Sequence, residues 1–159
     1  MSSAIPSGFR ALPLPLAQCS LAAVLRCGQS FRWSAHPLTR STTEELSADE
    51  VQHGKPTHEY RFCLRDRVVC LRQNSEMIFY KAEIPSTNNK AGTSKHEEEL
   101  EAKTLSFIRD YFQLDVDLVK LYDSWSACDP IFNDISGRFS GLRMLRQDPW
   151  ECLISYVPL

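Results

Sequence analysis

The sequence predicts an α+β protein, an antiparallel sheet with helices followed by an all-helical segment. Three observations carry that prediction. Tyr60, Phe62 and Leu64 alternate with Arg61, Cys63 and Arg65, the period-two pattern of a half-buried antiparallel strand. From Glu97 onward the period becomes helical, with Leu100, Leu105, Ile108, Tyr111 and Phe112 on one face. Asp129-Pro130 and Asp148-Pro149 each set a capping acid before a proline at the first helical position, which announces two helix starts.

Taken in order, residues 9–16 read as an extended segment that Pro13 and Pro15 confine to a sheet edge. A short helix is expected from about Leu16 to Arg26, with Leu21, Val24 and Leu25 on one face, and Gly28 stops it. Phe31-Arg32-Trp33 is expected to start a strand, its two aromatics facing the core. Residues 37–57 are polar and read as a surface loop. Three strands then form a meander, with turns at Arg65-Asp66-Arg67 and Asn74-Ser75, and the strand at 31–33 joins them. Residues 84–96 read as a polar connector. Beyond it, Leu118, Leu121, Tyr122 and Trp125 mark one helix, Ile131, Phe132, Ile135 and Phe139 a second, and Trp150, Leu153, Ile154 and Val157 a third. Leu118, Trp125, Phe132, Phe139 and Trp150 are expected to stand exposed on these helices.

The chain has 159 residues, 43% of them hydrophobic, which suits one domain or one domain with part of another. No apolar run reaches the length of a membrane-spanning helix. The net charge of -2 excludes a globally basic nucleic-acid binder but hides an asymmetry. Residues 1–81 carry 10 basic and 7 acidic side chains, residues 82–134 carry 5 and 11, and residues 135–159 carry 3 and 2. The six cysteines form no C-x-x-C pair and read as buried, reduced thiols of an intracellular protein. The first acidic residue is Glu44, a composition like that of a mitochondrial transit segment; Pro13, Pro15 and the strand-like 29–33 favour folded protein instead.

Gly28-Gln29-Ser30-Phe31-Arg32-Trp33 followed by the sheet resembles the N-terminal domain of eukaryotic 8-oxoguanine DNA glycosylases. Asp110-Tyr111-Phe112-Gln113-Leu114-Asp115-Val116 is similar to that family's domain-joining segment, and Leu145-Arg146-Gln147-Asp148-Pro149-Trp150-Glu151-Cys152-Leu153 to the opening of its helical domain. The resemblance implies a TATA-binding-protein-like N-terminal domain over 1–115 and the first helices of a helix-hairpin-helix glycosylase domain over 116–159. It implies base-excision repair: an oxidised guanine is flipped from double-stranded DNA, and a lysine nucleophile cleaves its glycosidic bond, with AP-lyase activity to follow. The expected location is the nucleus, with the mitochondrion as an additional one, and no cofactor is expected.

The six glycines, at 8, 28, 54, 92, 137 and 141, make no Gly-x-Gly turn, so the hairpin is expected to be absent. With it go the family's lysine and aspartate. No catalytic residue is assigned in this chain, which is expected to be inactive alone, its catalytic helical part missing or supplied separately. Lys55, Lys81, Lys90, Lys95, Lys103 and Lys120 lie in polar loops or on charged helix faces, unlike an imine-forming lysine.

The resemblance gives the backbone carbonyl of Gly28 the task of reading the base. 8-Oxoguanine carries N7–H where guanine has a lone pair, so a fixed carbonyl accepts from the lesion and repels the normal base. An unmatched polar contact costs about 1–3 kcal/mol, which discriminates ten- to a hundredfold. The plainer role for Gly28 is that of a helix-stopping glycine. Phe31 is a second candidate for the base, and Arg143 and Arg146 are candidates for phosphate. No metal site is expected, since His53, His58 and Cys63 lack zinc-like spacing. The alternative reading is a non-catalytic DNA- or protein-binding module that uses Arg61, Arg65, Arg67 and Arg72 as a basic sheet face.

Overall fold

A computed structural model describes residues 5–38, 56–84 and 94–155, the side chains of 94–96 excepted. Most of the loops expected at 37–57 and 84–96, with His53, Lys55 and Lys90, lies outside the described residues, as do Tyr156, Val157, Pro158 and Leu159. The chain divides into two compact units that interleave along the sequence: residues 1–15 with 32–104, and residues 16–31 with 105–159.

The first unit is built on a five-stranded antiparallel sheet. Its strands are β1 (Arg10–Pro13), β2 (Ser34–Pro37), β3 (His58–Cys63), β4 (Val68–Gln73) and β5 (Met77–Glu83), in the order β1-β5-β4-β3-β2. The α+β expectation holds. So does the edge position of the proline-bearing β1, where a missing amide donor does no harm. Tyr60, Leu71 and Tyr80 stand in register and are buried together with Phe62, Val69 and Ile78 on one face. On the other face Phe9, Cys70 and Phe79 form a smaller cluster, and Arg72 and Lys81 lie over the Phe9 ring at 4.4 and 4.9 Å. Both expected turns are present. Leu64 N–H donates to the Arg67 carbonyl, and Asn74 Oδ1 accepts from the Glu76 and Met77 amides.

The strand expected at Phe31–Trp33 begins three residues later, at Ser34. Trp33 packs on Phe62 with ring centroids 5.0 Å apart, as a core aromatic should, but Phe31 is 73% exposed. Pro37, expected in the loop, ends β2 opposite His58, and Leu38 N–H continues the pairing to the Thr57 carbonyl.

The arginine face is largely neutralised. Glu59, 2% exposed, accepts from Arg61 Nε at 2.6 Å and pairs with Arg72 at 2.7 Å. Arg67 is buried beside Asp66, and Arg65 is left exposed in the turn. Burial pushes the Glu59 carboxyl up, but its bonds to Arg61 and Arg72 outweigh that and hold it below its ordinary value of 4.5. The folded state therefore favours the carboxylate. Its stabilisation is complete above pH 4.5 and drains away as the pH falls through the lower folded value. Glu59→Ala, which leaves two guanidinium groups without their shared acceptor, is expected to cost about 2 kcal/mol at neutral pH. Urea titrations should show that difference shrinking below pH 4.5; a difference that stays constant down to pH 2 would refute the assignment.

The helices are α1 (Leu21–Val24), α2 (Ser94–Tyr111), α3 (Leu118–Cys128), α4 (Pro130–Ser136) and α5 (Pro149–Ser155), with a 3-10 turn at Gly137–Phe139 after α4. The expected Leu16–Arg26 helix contracts to one turn, capped by Ser20, whose side chain accepts from Ala23 N. Asp129 and Asp148 cap as predicted. Asp129 accepts from the Ile131 and Phe132 amides, and Asp148 from those of Trp150 and Glu151. A third cap, Asp117 at the start of α3, accepts from Lys120 N and Gln18 Nε2; the Gln18 bond above all holds its carboxyl near pKa 2. Tyr122, Trp125 and Phe132 form an aromatic cluster with centroids 5.3–5.8 Å apart, Phe132 meeting the other two edge-to-face.

Among the aromatic and aliphatic residues expected to be exposed, Trp125, Phe139 and Trp150 are, whereas Leu118 is buried and Phe132 half-buried. None of the six cysteines is in a disulfide, but only Cys19 and Cys70 are buried; Cys27, Cys63 and Cys128 are exposed. Burial pushes Cys19 up to about 12 and Cys70 up to about 11, so neither is a ready nucleophile. Among the described residues, no helix is long and apolar enough to cross a membrane.

Candidate nucleic-acid interface

Residues 27–31, α2's last turn and the extended segment 142–148 meet within the second unit. Gly28 lies three residues beyond the α1 cap at Leu25, in the left-handed region at φ +83°. It is exposed, and a Cβ placed on it would meet nothing within 4 Å. Among the described residues none donates a hydrogen bond to its carbonyl. The neighbouring groups are occupied. Gln29's carbonyl accepts from Gln147 Nε2, and the buried Ser30 Oγ accepts from Tyr111 OH at 3.0 Å. One backbone acceptor thus stands open in a segment that is otherwise tied down.

Segment 142–148 runs extended, with alternate side chains turned in and out. Arg143 and Leu145 are buried, while Met144 and Arg146 are exposed. Arg143 fixes the interior. Its Nε donates to the Gln18 carbonyl, Nη1 to the Gln113 carbonyl at 2.8 Å, and Nη2 to Gln18 Oε1 at 2.9 Å and the Val116 carbonyl at 2.8 Å. Burial pulls its pKa below the ordinary guanidinium value, with Cys19 and Asp117 opposing. A guanidinium 5% exposed, with four of its five N–H donors on oxygens of its own unit, is turned inward, away from any phosphate, so the structure does not support the contact expected of Arg143. Arg146 is exposed; its amide donates to the Tyr111 carbonyl and its Nη1 pairs with Asp110 Oδ1 at 2.7 Å. That surface pair is weak and exchangeable. Phe31 lies close in sequence to Gly28 and presents an open ring.

Sequence reasoning missed Gln18, Gln29 and the inward role of Arg143. The signal for Arg143 was there, because it shares the parity of Leu145 in an extended stretch. Gln18 and Gln29 carry no local sign, since their partners lie about a hundred residues on.

A groove of about 590 Å³ in the same unit is lined by Ala17, Val119, Tyr122, Asp123, Asn133 and Ser136. It brings one carboxylate near one phenol, whose pKa burial raises, and assembles no acid–base pair. Among the described residues no group of three or more potential metal ligands gathers.

An antiparallel sheet with helices after it is the architecture expected of the N-terminal domain of a DNA-repair glycosylase. The model of the 8-oxoguanine DNA glycosylase N-terminal domain matches residues 11–153, and the chain belongs to that family. It is 31% identical over 153 residues to the N-glycosylase/DNA lyase of Saccharomyces cerevisiae, covering 94% of this chain and 34% of that protein. It is 38% identical over 48 residues to the N-glycosylase/DNA lyase OGG1 of Arabidopsis thaliana, covering 30% of this chain and 13% of that protein. The chain thus spans about a third of the length of the yeast relative.

Proposed function

We propose that this chain supplies the base-reading part of a glycosylase and AP lyase that acts on 8-oxoguanine in double-stranded DNA, in the nucleus or the mitochondrion. The observation that carries the reading is the open carbonyl of Gly28, exposed and unmatched between anchored neighbours. It accepts N7–H of the lesion and meets the N7 lone pair of guanine. Phe31 offers a face on which a base or sugar can rest, and Arg146 exchanges Asp110 for a phosphate. The names of the yeast and Arabidopsis relatives support the activity assigned to the whole enzyme.

The described lysines do not supply the nucleophile. Lys81, Lys103 and Lys120 each face a carboxylate, from Glu83, Glu99 and Asp117. An imine-forming lysine needs a neutral amine, which an apolar pocket or a nearby cation provides and a carboxylate does not. The role proposed for this chain is therefore binding, with no cleavage assigned to its described lysines. Borohydride trapping of the purified chain on an 8-oxoguanine duplex should yield no covalent product, while anisotropy titration should show about tenfold tighter binding to the lesion than to guanine. A trapped adduct would sink the non-catalytic assignment; equal affinities would sink the base-reading role of Gly28.

A further inference from the structure

Gln29 is held at four points within its unit. Its side-chain Nε2 donates to the Arg143 carbonyl at 2.7 Å and lies 3.1 Å from Cys27 Sγ, and its Oε1 accepts from the Leu145 amide at 2.9 Å. Its backbone carbonyl accepts from Gln147 Nε2. The side-chain amide thus supplies one donor and one acceptor to the edge of an extended segment, as a neighbouring strand would.

The residue so clamped is the one that follows Gly28. A peptide unit is planar, so the Gly28 carbonyl and the Gln29 nitrogen move as one rigid plate. Glycine has broad conformational freedom and restrains that plate weakly from its own side. The restraint must come from Gln29. Direction matters more for rejection than for acceptance. A carbonyl free to swing still accepts a hydrogen bond from an N7–H, but it also swings away from a lone pair and so evades the repulsion that excludes guanine.

We infer that Gln29 is a positioning residue for specificity: its side-chain clamp on Arg143 and Leu145 fixes the Gly28 carbonyl, and discrimination against undamaged guanine depends on it. The inference rests on the reading of Gly28 given above. Mere scaffolding would weaken binding to every duplex alike, whereas a positioning role changes the ratio between duplexes.

The test uses the full chain and two duplexes that differ only in one 8-oxoguanine or guanine opposite cytosine, titrated by fluorescence anisotropy. Gln29→Ala is expected to lower the lesion-to-guanine preference about fivefold, mainly by tighter guanine binding. Gln29→Glu keeps the acceptor for Leu145 but loses the donor to Arg143, and should lower the preference as well. Gln147→Ala, which removes only the donor to the Gln29 carbonyl, is expected to lower it about twofold. Circular dichroism reports whether each variant is folded; if Gln29→Ala is not, Gln147→Ala decides. An unchanged ratio in folded variants, or an equal loss on both duplexes, overturns the inference and leaves the Gly28 reading standing. A wild-type chain without preference overturns both.

Discussion

Gly141→Ala is expected to be the most damaging glycine substitution among the described residues, with a cost of about 2–5 kcal/mol from the left-handed backbone and overpacking together. Gly141 has φ +75°, and a Cβ there would stand 2.1 Å from the Leu16 carbonyl oxygen and 2.8 Å from the Ser20 nitrogen. Both obstacles are backbone, and Ser20 N–H donates to the Gly141 carbonyl at 2.9 Å, so relief by rotation is closed and relief by separation breaks that bond. Ser20 also caps α1, so a shift there loosens the turn leading toward Gly28. Gly8 is the matched control: its φ is also +75°, yet an added Cβ meets nothing within 4 Å. Gly8→Ala should therefore cost only the conformational share, about 1–2 kcal/mol. Urea midpoints at unchanged slope give the comparison. Equal losses at the two glycines would mean that the crowding at Gly141 relaxes freely.

Arg143→Met should cost about 3 kcal/mol, because it keeps the apolar stem and takes a donor from four acceptors, two of which, the carbonyls of Gln18 and Val116, have no other donor among the described residues. Those acceptors are the carbonyls of Gln18, Gln113 and Val116 and the side-chain oxygen of Gln18. Three stretches of chain distant in sequence meet on this one planar group. Arg143→Lys should rescue little, since a compact ammonium has three donors and no fork to span acceptors on several sides. Urea unfolding of the two variants beside wild type makes the comparison, and a lysine variant as stable as wild type would show that charge rather than geometry is what the site uses. If Arg143 contacted DNA, the methionine variant would lose DNA affinity without losing stability.

Where the sequence was legible, the cause was local. Alternation in β3, the turn at Asn74 and the Asp-Pro caps of α4 and α5 each need only a few neighbouring residues, and each appears where expected. Phe31-Arg32-Trp33 misled because its alternation is that of a strand, while Gln29 and Ser30 are bound to Arg143, Leu145 and Tyr111 and hold the chain out of the sheet until Ser34. Ser34–Pro37 has poor strand propensity and is a strand because the edge of β3 pairs with it. The Leu16–Arg26 helix shortens for a similar reason: Leu16 and Ser20 lie against Gly141, more than a hundred residues away in sequence. The candidate site divides the same way. Gly28 could be singled out by its motif, but the open state of its carbonyl and the clamp on Gln29 are set by partners that no local pattern reveals.

The interleaving of the two units has a consequence for biosynthesis. The Gln29–Arg143 bond joins residues 114 apart, and a ribosome adding about 5–20 residues per second needs roughly 6–23 s to make the second after the first. Through that interval the sheet strands of the first unit emerge and can pair, whereas Cys19, Leu21 and Val24 wait in the nascent chain for partners still untranslated. The segment bearing the proposed base-reading carbonyl is thus synthesised well before the partners that fix it. A chaperone that holds apolar nascent segments would find its opening there.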